Sequence, residues 1–583
     1  MSRIDWIVLA VTLVGIIAYG LYKSRTTKNL EGYFLSNRTM PWYLVLLSIM
    51  GTQASAITFL SAPGQAFTDG MRFVQYYFGL PLAMVVLCIT FVPLFARLKV
   101  FTAYEFLEKR FDLKTRTLTS FLFLLQRGLS TGISIYAPSI ILSSLFGWNI
   151  FLTNILMGGL LIIYTVTGGA KAVAYTQQLQ LVIIFIGMFL AGYMIVHLLP
   201  AEIGFSEALK ISGASGKLNV ITTGNNNDSF DWNDKYNIWS GVIGGFFLAL
   251  SYFGTDQSQV GRYLTAKNTT ESKLGLLING LIKVPMQFAI LLIGALLFTF
   301  YQFHPPPVFF NRAVEQQALA TDYRDSMVNV QRQYIHLNHA QTQLNLAYLR
   351  AKDAGSPSQE AMYKDSLQRG NGQLDVLRKS YKSYIKKAVP AADDNDTNYI
   401  FLRFVVDYLP VGLVGLLIAI IFLAAWGSIA AALNSLAACT MIDFHLRFKK
   451  GKVAVSEEEA LHYKTSKWYT LAWGIFCIGV AQFANRMGSL IEAVNILGSL
   501  FYGVILGIFL VAFYMKGIKG KAVFWAAIIG EIGVVSLFVL NEHNVIGLSF
   551  LWLNVAGALF VVLLSMIFQF MMKYAGNDAS LGQ

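Results

Sequence analysis

The chain is 583 residues long, 55% hydrophobic and only 13% charged. Ordinary soluble domains carry about a quarter charged residues, and here the apolar residues come in runs of about 20, the length of a helix that crosses a bilayer. The composition therefore excludes a string of soluble domains and predicts an all-α membrane protein. The net charge of +13 raises the question of a nucleic-acid partner.

The apolar runs define thirteen candidate membrane spans. In chain order they lie near residues 5–22, 42–68, 76–96, 117–146, 148–166, 175–199, 238–258, 274–303, 402–442, 468–485, 489–514, 522–541 and 548–572. The runs at 117–146 and 402–442 are too long for one straight crossing, so we expect each to include an extra surface turn or helix. The first run has no clear small-residue cleavage site, so we interpret it as a retained span.

The basic residues set the expected orientation, because lysine and arginine concentrate in loops on the cytoplasmic side. With the N-terminus outside and the C-terminus inside, the inner loops hold 24 of the 45 Lys and Arg residues and the short outer segments hold six. The positive charge thus orients the spans, and we expect no nucleic-acid partner. We expect a multi-pass protein in the lipid bilayer of a plasma membrane, the inner membrane in a bacterium.

One long polar insert, residues 304–401, separates the eighth and ninth spans. Over 304–400 it holds 12 basic and 10 acidic residues, so it is nearly neutral. Apolar residues recur at helical spacing in 312–353 and 357–388, and residues 354–358 (Ala-Gly-Ser-Pro-Ser) supply a turn. We predict an extracytoplasmic helical hairpin. It is either a solvated cap packed on itself, or it binds an unknown protein partner or gates transport.

Two spans are unusually rich in small residues. The second reads SIMGTQASAITF over 48–59, and the ninth reads AAWGSIAAALNS over 424–435. A weak helical patch in mid-membrane often lines a cavity, where unwound carbonyl groups can replace the water around a hard cation. The alternative is close helix packing by small side chains, with the Ser428 hydroxyl bonded back to its own helix.

The segment 164–180 reads YTVTGGAKAVAYTQQLQ. It resembles the signature of the sodium/solute symporter family, which has a tyrosine, a Gly-Gly pair, Ala-Val, then Thr-Asp and a glutamine three residues later. TAYEFLEKRF at 102–111 resembles the family's basic inner-loop motif, and GTDQ at 254–257 with RYL at 262–264 resembles another. The resemblance covers nearly the whole chain apart from the insert, and several ordered motifs are more specific than any single one.

The resemblance implies a LeuT-like core of two five-helix inverted repeats, spans two to six and seven to eleven, with substrate near the midplane. The first helix of each repeat is interrupted in this fold, so the second and seventh spans would be broken, the seventh at Gly244-Gly245. The chain then divides into an extra helix and inner loop (1–41), the first repeat with the first helices of the second (42–303), the insert (304–401), the rest of the second repeat (402–514) and two extra helices with a tail (515–583).

The resemblance also implies one sodium site between the second and ninth spans. Its oxygen ligands would be the carbonyl groups of Gly51, Ala54 and Ala424 and the hydroxyl group of Ser428. Sodium is thus the expected coupling ion.

Two positions depart from the family pattern. Gly427 stands where the family has a second hydroxyl ligand, and Gln177 stands where the signature has an aspartate. In some relatives that aspartate helps to hold an additional sodium. We therefore predict at most one coupled sodium in each cycle.

The sequence identifies the residues of the solute pocket less directly. Tyr252 aligns with the aromatic inner gate that stacks under the substrate in sugar-carrying relatives. Gln53, Thr58, Gln75 and Asn495 lie on or beside core helices, where their side chains could hydrogen-bond a solute. The alternative for each of the five is a role in contacts between helices, because amide and hydroxyl groups hydrogen-bond neighbouring helices.

The leading hypothesis is a secondary active transporter that carries a small organic solute with sodium by alternating access. The solute would be a sugar, a monocarboxylate, a vitamin or a similar molecule. The alternatives are a solute sensor or receptor on a transporter fold and a symporter with weak or non-sodium coupling. The sequence shows no paired carboxylates, Ser/His/Asp set or phosphate loop, so we expect no enzyme.

Overall fold

The computed structural model of the protein describes residues 1–24, 29–226, 229–390, 392–448, 455–484 and 489–581. Within them the chain forms 23 α-helices and an antiparallel ribbon of β1 (Asn225–Asn226) and β2 (Ser229–Phe230). Before the insert the helices are α1 (Arg3–Ser24), α2 (Leu30–Leu35), α3 (Trp42–Gln53), α4 (Ala56–Asp69), α5 (Leu80–Ile89), α6 (Phe91–Leu98), α7 (Glu105–Arg110), α8 (Leu113–Phe146), α9 (Ile150–His197), α10 (Phe205–Ala214), α11 (Gly245–Gly254), α12 (Gln257–Tyr263) and α13 (Thr269–Phe303).

From the insert onward the helices are α14 (Arg312–Leu319), α15 (Arg324–Asp353), α16 (Pro357–Ala388), α17 (Ile400–Tyr408), α18 (Leu413–Cys439), α19 (Leu446–Phe448), α20 (Val455–Ala481), α21 (Leu490–Tyr514), α22 (Gly520–Glu542) and α23 (Phe550–Leu581). Short 3-10 segments cover Ser36–Arg38, Met71–Tyr77 and Thr397–Tyr399, and π-helical turns cover Ser240–Gly244 and Thr440–His445.

Eight helices in the described part of the chain are long and apolar enough to cross a membrane, and the bent pair α3–α4 adds a ninth crossing. The protein is therefore a multi-pass membrane protein, as its composition predicts. α9 contains two of the predicted spans, and it changes direction at Gly169. The φ of +59° at Gly169 and the close contact with Tyr33 leave no room for a side chain there.

The two runs that are too long for one crossing differ in the structure. The run at 402–442 contains a separate short helix, α17, ahead of α18, as predicted. The run at 117–146 lies within one continuous helix of 34 residues, α8, so the prediction of an extra surface turn is wrong there. A helix of this length spans about 51 Å, which exceeds the hydrocarbon core.

The predicted interruption of the second span is confirmed. α3 and α4 form one apolar crossing that bends by 59° between them. Ala54 leaves the helix with φ −82° and ψ 82°, and Ser55 is extended with φ −83° and ψ 173°. The small, polar residues at this point give the helix little side-chain packing to keep it continuous.

The seventh span does not break at Gly244-Gly245, where the family resemblance placed the interruption. Both residues keep helical backbone angles, in a π-helical turn over Ser240–Gly244 that runs directly into α11. The interruption comes after α11, where the Asp256 side chain caps α12. The glycines allow close packing instead, because a Cβ on Gly245 would come within 2.5 Å of the Tyr76 carbonyl oxygen.

The insert folds as the predicted helical hairpin, made of α15 and α16. The predicted 312–353 helix is divided, because α14 ends before α15 begins. An apolar core that includes Met327, Leu374 and Tyr381 holds the hairpin together. Tyr348, Leu349 and Leu367, further along the hairpin, pack instead into the core of the membrane helices.

One buried carboxylate anchors the hairpin to the rest of the chain. Asp396 lies 2.7 Å from the Arg378 guanidinium and 2.7 Å from the Lys382 ammonium, both on α16. Burial alone would raise the pKa of Asp396, but these cations outweigh it and hold the pKa below its ordinary value. The adjoining Thr397 carbonyl packs so closely on Gly64 that a Cβ there would come within 2.0 Å. The hairpin is therefore joined to the second half of the broken span.

Candidate functional site

A cavity lies where the break between α3 and α4 meets α11 and α21. Its volume is about 110 Å³. Its polar lining includes Gln53 and Thr58 beside the break, Tyr77 in the 3-10 segment, Tyr252 on α11 and Asn495 on α21. The structure thus brings four of the five predicted solute residues to one cavity.

The protein satisfies the polar atoms around this cavity only in part. The Tyr76 hydroxyl donates to Asn495 Oδ1 at 3.1 Å, and Gln259 Nε2 donates to the Tyr252 hydroxyl at 2.7 Å. Gln53 Oε1 is buried and has no hydrogen-bond partner within the described residues. A buried unpaired amide oxygen is costly, so Gln53 is poised to accept a hydrogen bond from a bound molecule.

Gln75, the fifth predicted solute residue, does not line the cavity. Its Nε2 donates to the Tyr236 carbonyl at 2.9 Å and to the Thr222 hydroxyl at 3.1 Å, and its Oε1 accepts from the Thr222 amide at 3.1 Å. Gln75 is fully buried, and these bonds fasten a distant loop to the 3-10 segment. Its position beside a core helix did not reveal this, because the partners lie 147 and 161 residues further along the chain.

A cluster of charged and aromatic side chains lines part of the cavity. Arg127 of α8 pairs with Asp256 and donates to the Tyr502 hydroxyl at 2.8 Å, and this hydroxyl donates to Asp256 at 2.9 Å. The Arg127 guanidinium lies 5.4 Å from the ring centroid of Tyr252. The predicted gate residue therefore belongs to a network that joins three distant parts of the chain. Sequence reasoning missed Arg127 and Tyr502 as cavity residues, since no spacing pattern connects them.

The break in the second span frees backbone oxygens of the kind that a sodium ion needs. The Ser55 amide donates to the Gln53 carbonyl at 3.1 Å, so the Gly51 carbonyl loses the donor that a continuous helix would supply. The Ala54 carbonyl lies in the non-helical link itself. Carbonyl oxygens are ligands of hard cations, so these two predicted ligands fit a sodium ion.

The other two predicted sodium ligands lie one turn apart on α18. The Ser428 hydroxyl donates to the Ala424 carbonyl at 3.1 Å and to the Ala425 carbonyl at 3.1 Å. This is the back-bonding that the sequence left as an alternative, and it leaves the lone pairs of the hydroxyl oxygen available. Ser428 is buried. Its chemistry therefore also fits sodium.

Gln177 of α9 bridges the two halves of this region. Its Nε2 donates to the Gly427 carbonyl at 3.0 Å and to the Thr52 hydroxyl at 3.2 Å, and its Oε1 accepts from the Ser48 hydroxyl at 2.8 Å. A Cβ on Gly427 would come within 2.6 Å of the Gln180 Oε1. The two departures from the family pattern are therefore neighbours, and the glycine makes room for the glutamine side chains.

Long apolar helices, one of them broken at mid-length beside a polar cavity, define a multi-pass membrane transporter. The sequence model of the Sodium:solute symporter family matches residues 33–323 and 380–530. The chain therefore belongs to this family, and it is a sodium-coupled solute transporter rather than an enzyme. Most of the hairpin, residues 324–379, lies between the two matched parts.

The chain is similar to several known transporters. The Sodium/sialic acid symporter NanT of Aliivibrio fischeri is 24% identical over 96% of this chain and 92% of its own length. Sodium-coupled monocarboxylate transporter 1 of Xenopus laevis is 25% identical over 87% of this chain and 67% of its own length. A solved structure of a Na⁺-coupled sialic acid symporter, in a substrate-bound outward-open state, matches 98% of both chains with a TM-score of 0.73 at 23% identity, which shows a shared fold. These relatives support transport and not the sensor alternative.

Proposed function

We propose that the protein carries one sodium ion with one small organic solute in each cycle, by alternating access around the cavity at the break. The observation that carries this proposal is the break itself. It offers free carbonyl oxygens to an ion and polar side chains to a solute, so one element links the two. Sodium binding would stabilise the break in the form that the solute binds, and the solute would raise sodium affinity by the same factor.

The proposed sodium ligands are the carbonyl groups of Gly51, Ala54 and Ala424 and the hydroxyl group of Ser428. Gly427 adds no hydroxyl oxygen, so a water molecule would complete the coordination shell. Gln53, Thr58, Tyr252 and Asn495 are the proposed solute contacts, with Tyr252 as the inner gate. Gln75 is left out of this set because its bonds are made to the protein.

The stoichiometry of one sodium rests on Gln177. A second sodium in this region would need the carboxylate that some relatives have at this position. Here a neutral amide donates a hydrogen bond to the Gly427 carbonyl. Its Oε1 already accepts a hydrogen bond from the Ser48 hydroxyl at 2.8 Å, and the neutral side chain brings no negative charge to balance a second cation.

Family membership and the shared fold also support thirteen spans and a LeuT-like pair of five-helix repeats. α8, α20 and the two shorter apolar helices, Ile150–Ile163 and Ser240–Gly254, would bring the nine crossings to thirteen. The distribution of basic residues supports an N-terminus outside, a C-terminus inside and an extracytoplasmic hairpin. A bacterial inner membrane is the proposed location.

Uptake into proteoliposomes tests this function. The purified full-length protein would be reconstituted and given a labelled panel of sugars, monocarboxylates, vitamins and sialic acid, with and without an inward sodium gradient. We expect one class of solute to accumulate only when sodium is higher outside. Accumulation that is equal with sodium and with potassium would contradict sodium coupling and would favour the weakly coupled alternative.

A further inference from the structure

A second cavity, with a volume of about 80 Å³, lies where the hairpin packs on the ends of two membrane helices. Its lining includes Thr68 near the end of α4, Tyr301 near the end of α13 and Lys217 in the loop after α10. The hairpin contributes Asn338 of α15 and Asn371 of α16, which lie in the part of the chain that the family model does not match. This cavity shares no lining residue with the solute cavity.

The protein leaves several polar groups of this second cavity without a partner. Tyr301 is 1% exposed, and its hydroxyl group has no hydrogen-bond partner within the described residues. Both polar side-chain atoms of Asn371 are also buried and unpaired there. Such groups are costly unless a bound molecule or an ordered water satisfies them. Water could satisfy neutral groups of this kind, so the charge of the lining decides which ligand fits.

Lys217 gives the second cavity a positive charge that is not neutralised nearby. Its Nζ donates to the Thr68 carbonyl at 2.7 Å and lies 4.9 Å from the ring centroid of Phe298. Asp375 also lines the cavity and Asp69 lies near it, but no carboxylate in the described part of the chain forms an ion pair with Lys217. Burial lowers the pKa of Lys217, and these two carboxylates do not offset that effect.

The other cation in the lining adds to this positive charge. Arg378 lies 2.7 Å from the Asp396 carboxylate, which also pairs with the Lys382 ammonium at 2.7 Å. Two cations therefore share one carboxylate beside the cavity. An anion is the ligand that this arrangement favours, because it would lie near an excess of positive charge.

The volume of the second cavity limits the size of such an anion. A cavity of about 150 Å³ binds benzene, so a volume of about 80 Å³ suits an ion of roughly half that size. Formate, acetate and bicarbonate are of this size. Each of them carries one negative charge on oxygen atoms that accept hydrogen bonds.

We propose that the second cavity binds a small carboxylate-type anion, such as acetate or bicarbonate, which fastens the hairpin to the broken span. The Lys217 ammonium, the Asn371 amide nitrogen and the Tyr301 hydroxyl supply donors to its oxygen atoms. Lys217 is held to the end of α4, because its carbonyl accepts from the Met71 amide at 3.0 Å and its Nζ donates to Thr68. The anion would therefore join α4 to α16, at a site separate from the proposed sodium and solute sites.

Hydrogen exchange in α16 tests this site without knowledge of the transported solute. The purified full-length protein in detergent would be titrated with formate, acetate or bicarbonate in place of chloride, at constant sodium concentration and ionic strength. We expect exchange in α16 to fall and to reach a plateau, with half of the effect at about 1 mM. Acetamide is the matched control, because it has the shape of acetate without the charge, and it should not slow exchange.

Substitutions show whether the anion lies in this cavity. Lys217→Met removes the ammonium group and should raise the half-saturating acetate concentration about thirtyfold. Asn371→Ala removes the amide from the hairpin side and should raise it about tenfold, and it tests the same cavity if Lys217→Met does not fold. Lys379→Met is the control, because it removes an exposed ammonium group from α16 and should leave the acetate dependence unchanged.

Three results would overturn the proposal. One is the absence of saturable protection by all three anions, and another is equal protection by acetamide. The third is an unchanged acetate dependence in Lys217→Met or Asn371→Ala, which is also the result expected if acetate acts by binding at the solute cavity.

Discussion

At the scale of single residues, Gln177 and Gly427 explain how the chain can lack two family ligands and still hold its helices together. The Gln177 amide joins α3, α9 and α18 by hydrogen bonds that need no ion. Each hydrogen bond of this kind contributes about 1 kcal/mol. These three hydrogen bonds join the helices without a bound ion.

Reversing both departures should create a second sodium requirement. In Gln177→Asp/Gly427→Ser, a carboxylate and a hydroxyl would replace the amide bridge, and the loss of its donor should lower sodium-free stability by about 3 kcal/mol. We expect sodium to restore the melting temperature and the sodium dependence of uptake to become steeper. Gln177→Asp alone is the control. If the melting temperature of the double variant does not change with sodium, Gln177 and Gly427 are not what prevents a second sodium from binding.

Ser428→Ala tests the proposed sodium ligand on α18. Removing one neutral oxygen should raise the sodium concentration for half-maximal uptake about tenfold, which corresponds to about 1.4 kcal/mol. Ser435→Ala is the control, because Ser435 lies on the same helix, donates to the Ala431 carbonyl at 2.9 Å and is no proposed ligand. If the two variants have the same sodium dependence, the sodium site lies elsewhere.

At the scale of elements, the glycines show what a sequence can and cannot specify. The break in the second span was predictable because small and hydroxyl residues cluster where the helix has weak support. The Gly244-Gly245 pair suggested a similar break, but it allows close packing between helices instead. A glycine pair can mark either a helix break or a close contact between helices. Which of the two forms depends on the backbone that packs against the pair.

Contacts between distant elements were equally hidden from the sequence. The apolar runs, the hairpin and four of the cavity residues follow from local pattern and family resemblance. The bonds of Gln75 and the Arg127–Asp256–Tyr502 cluster join residues more than a hundred positions apart. One sequence holds no signal for such pairs, and each residue has other plausible partners in a helical membrane protein.

Gly241→Ala tests the packing of the seventh span. A Cβ on Gly241 would come within 2.1 Å of the Gln75 carbonyl oxygen, and such overpacking costs about 1–3 kcal/mol. We expect a lower melting temperature and slower uptake. Gly159→Ala on α9 has no atom within 4 Å of the added Cβ and should be tolerated. Equal tolerance of both substitutions would contradict the close contact.

Asp396→Asn tests the anchor of the hairpin. It leaves two cations without their buried partner, so we expect the anchor to weaken by about 3 kcal/mol and hydrogen exchange in α16 and α17 to rise. Asp365→Asn is the control, since its ion pair with Arg369 is exposed and worth little. Unchanged exchange in Asp396→Asn would show that other contacts hold the hairpin.

The anchor should also depend on pH in a defined direction. The folded protein lowers the pKa of Asp396, so its contribution is fully present above the ordinary aspartate pKa of about 4 and is lost as the pH falls below it. Exchange in α16 should therefore be constant from about pH 5 to pH 8 and rise only in stronger acid. A change near neutral pH would implicate a different group.

At the scale of the whole molecule, the broken span would couple sodium transport to solute transport. The charge of the solute then determines how uptake depends on membrane potential. One sodium with one monocarboxylate moves no net charge across the membrane. For a solute with one negative charge, we expect uptake to be insensitive to membrane potential. For a neutral solute, an inside-negative potential of about 60 mV would raise accumulation about tenfold. The dependence of accumulation on membrane potential therefore measures the charge of the solute, and either result leaves sodium coupling intact.

The most direct test of the account is the accumulation ratio at zero membrane potential. Proteoliposomes with an inward sodium gradient of about tenfold would be loaded with the first solute that responds to sodium, and its final internal and external concentrations would be measured. One coupled sodium supplies about 1.4 kcal/mol under these conditions, so the account predicts accumulation that approaches and does not exceed about tenfold. Accumulation near a hundredfold would require two sodium ions, and no accumulation would refute the coupling.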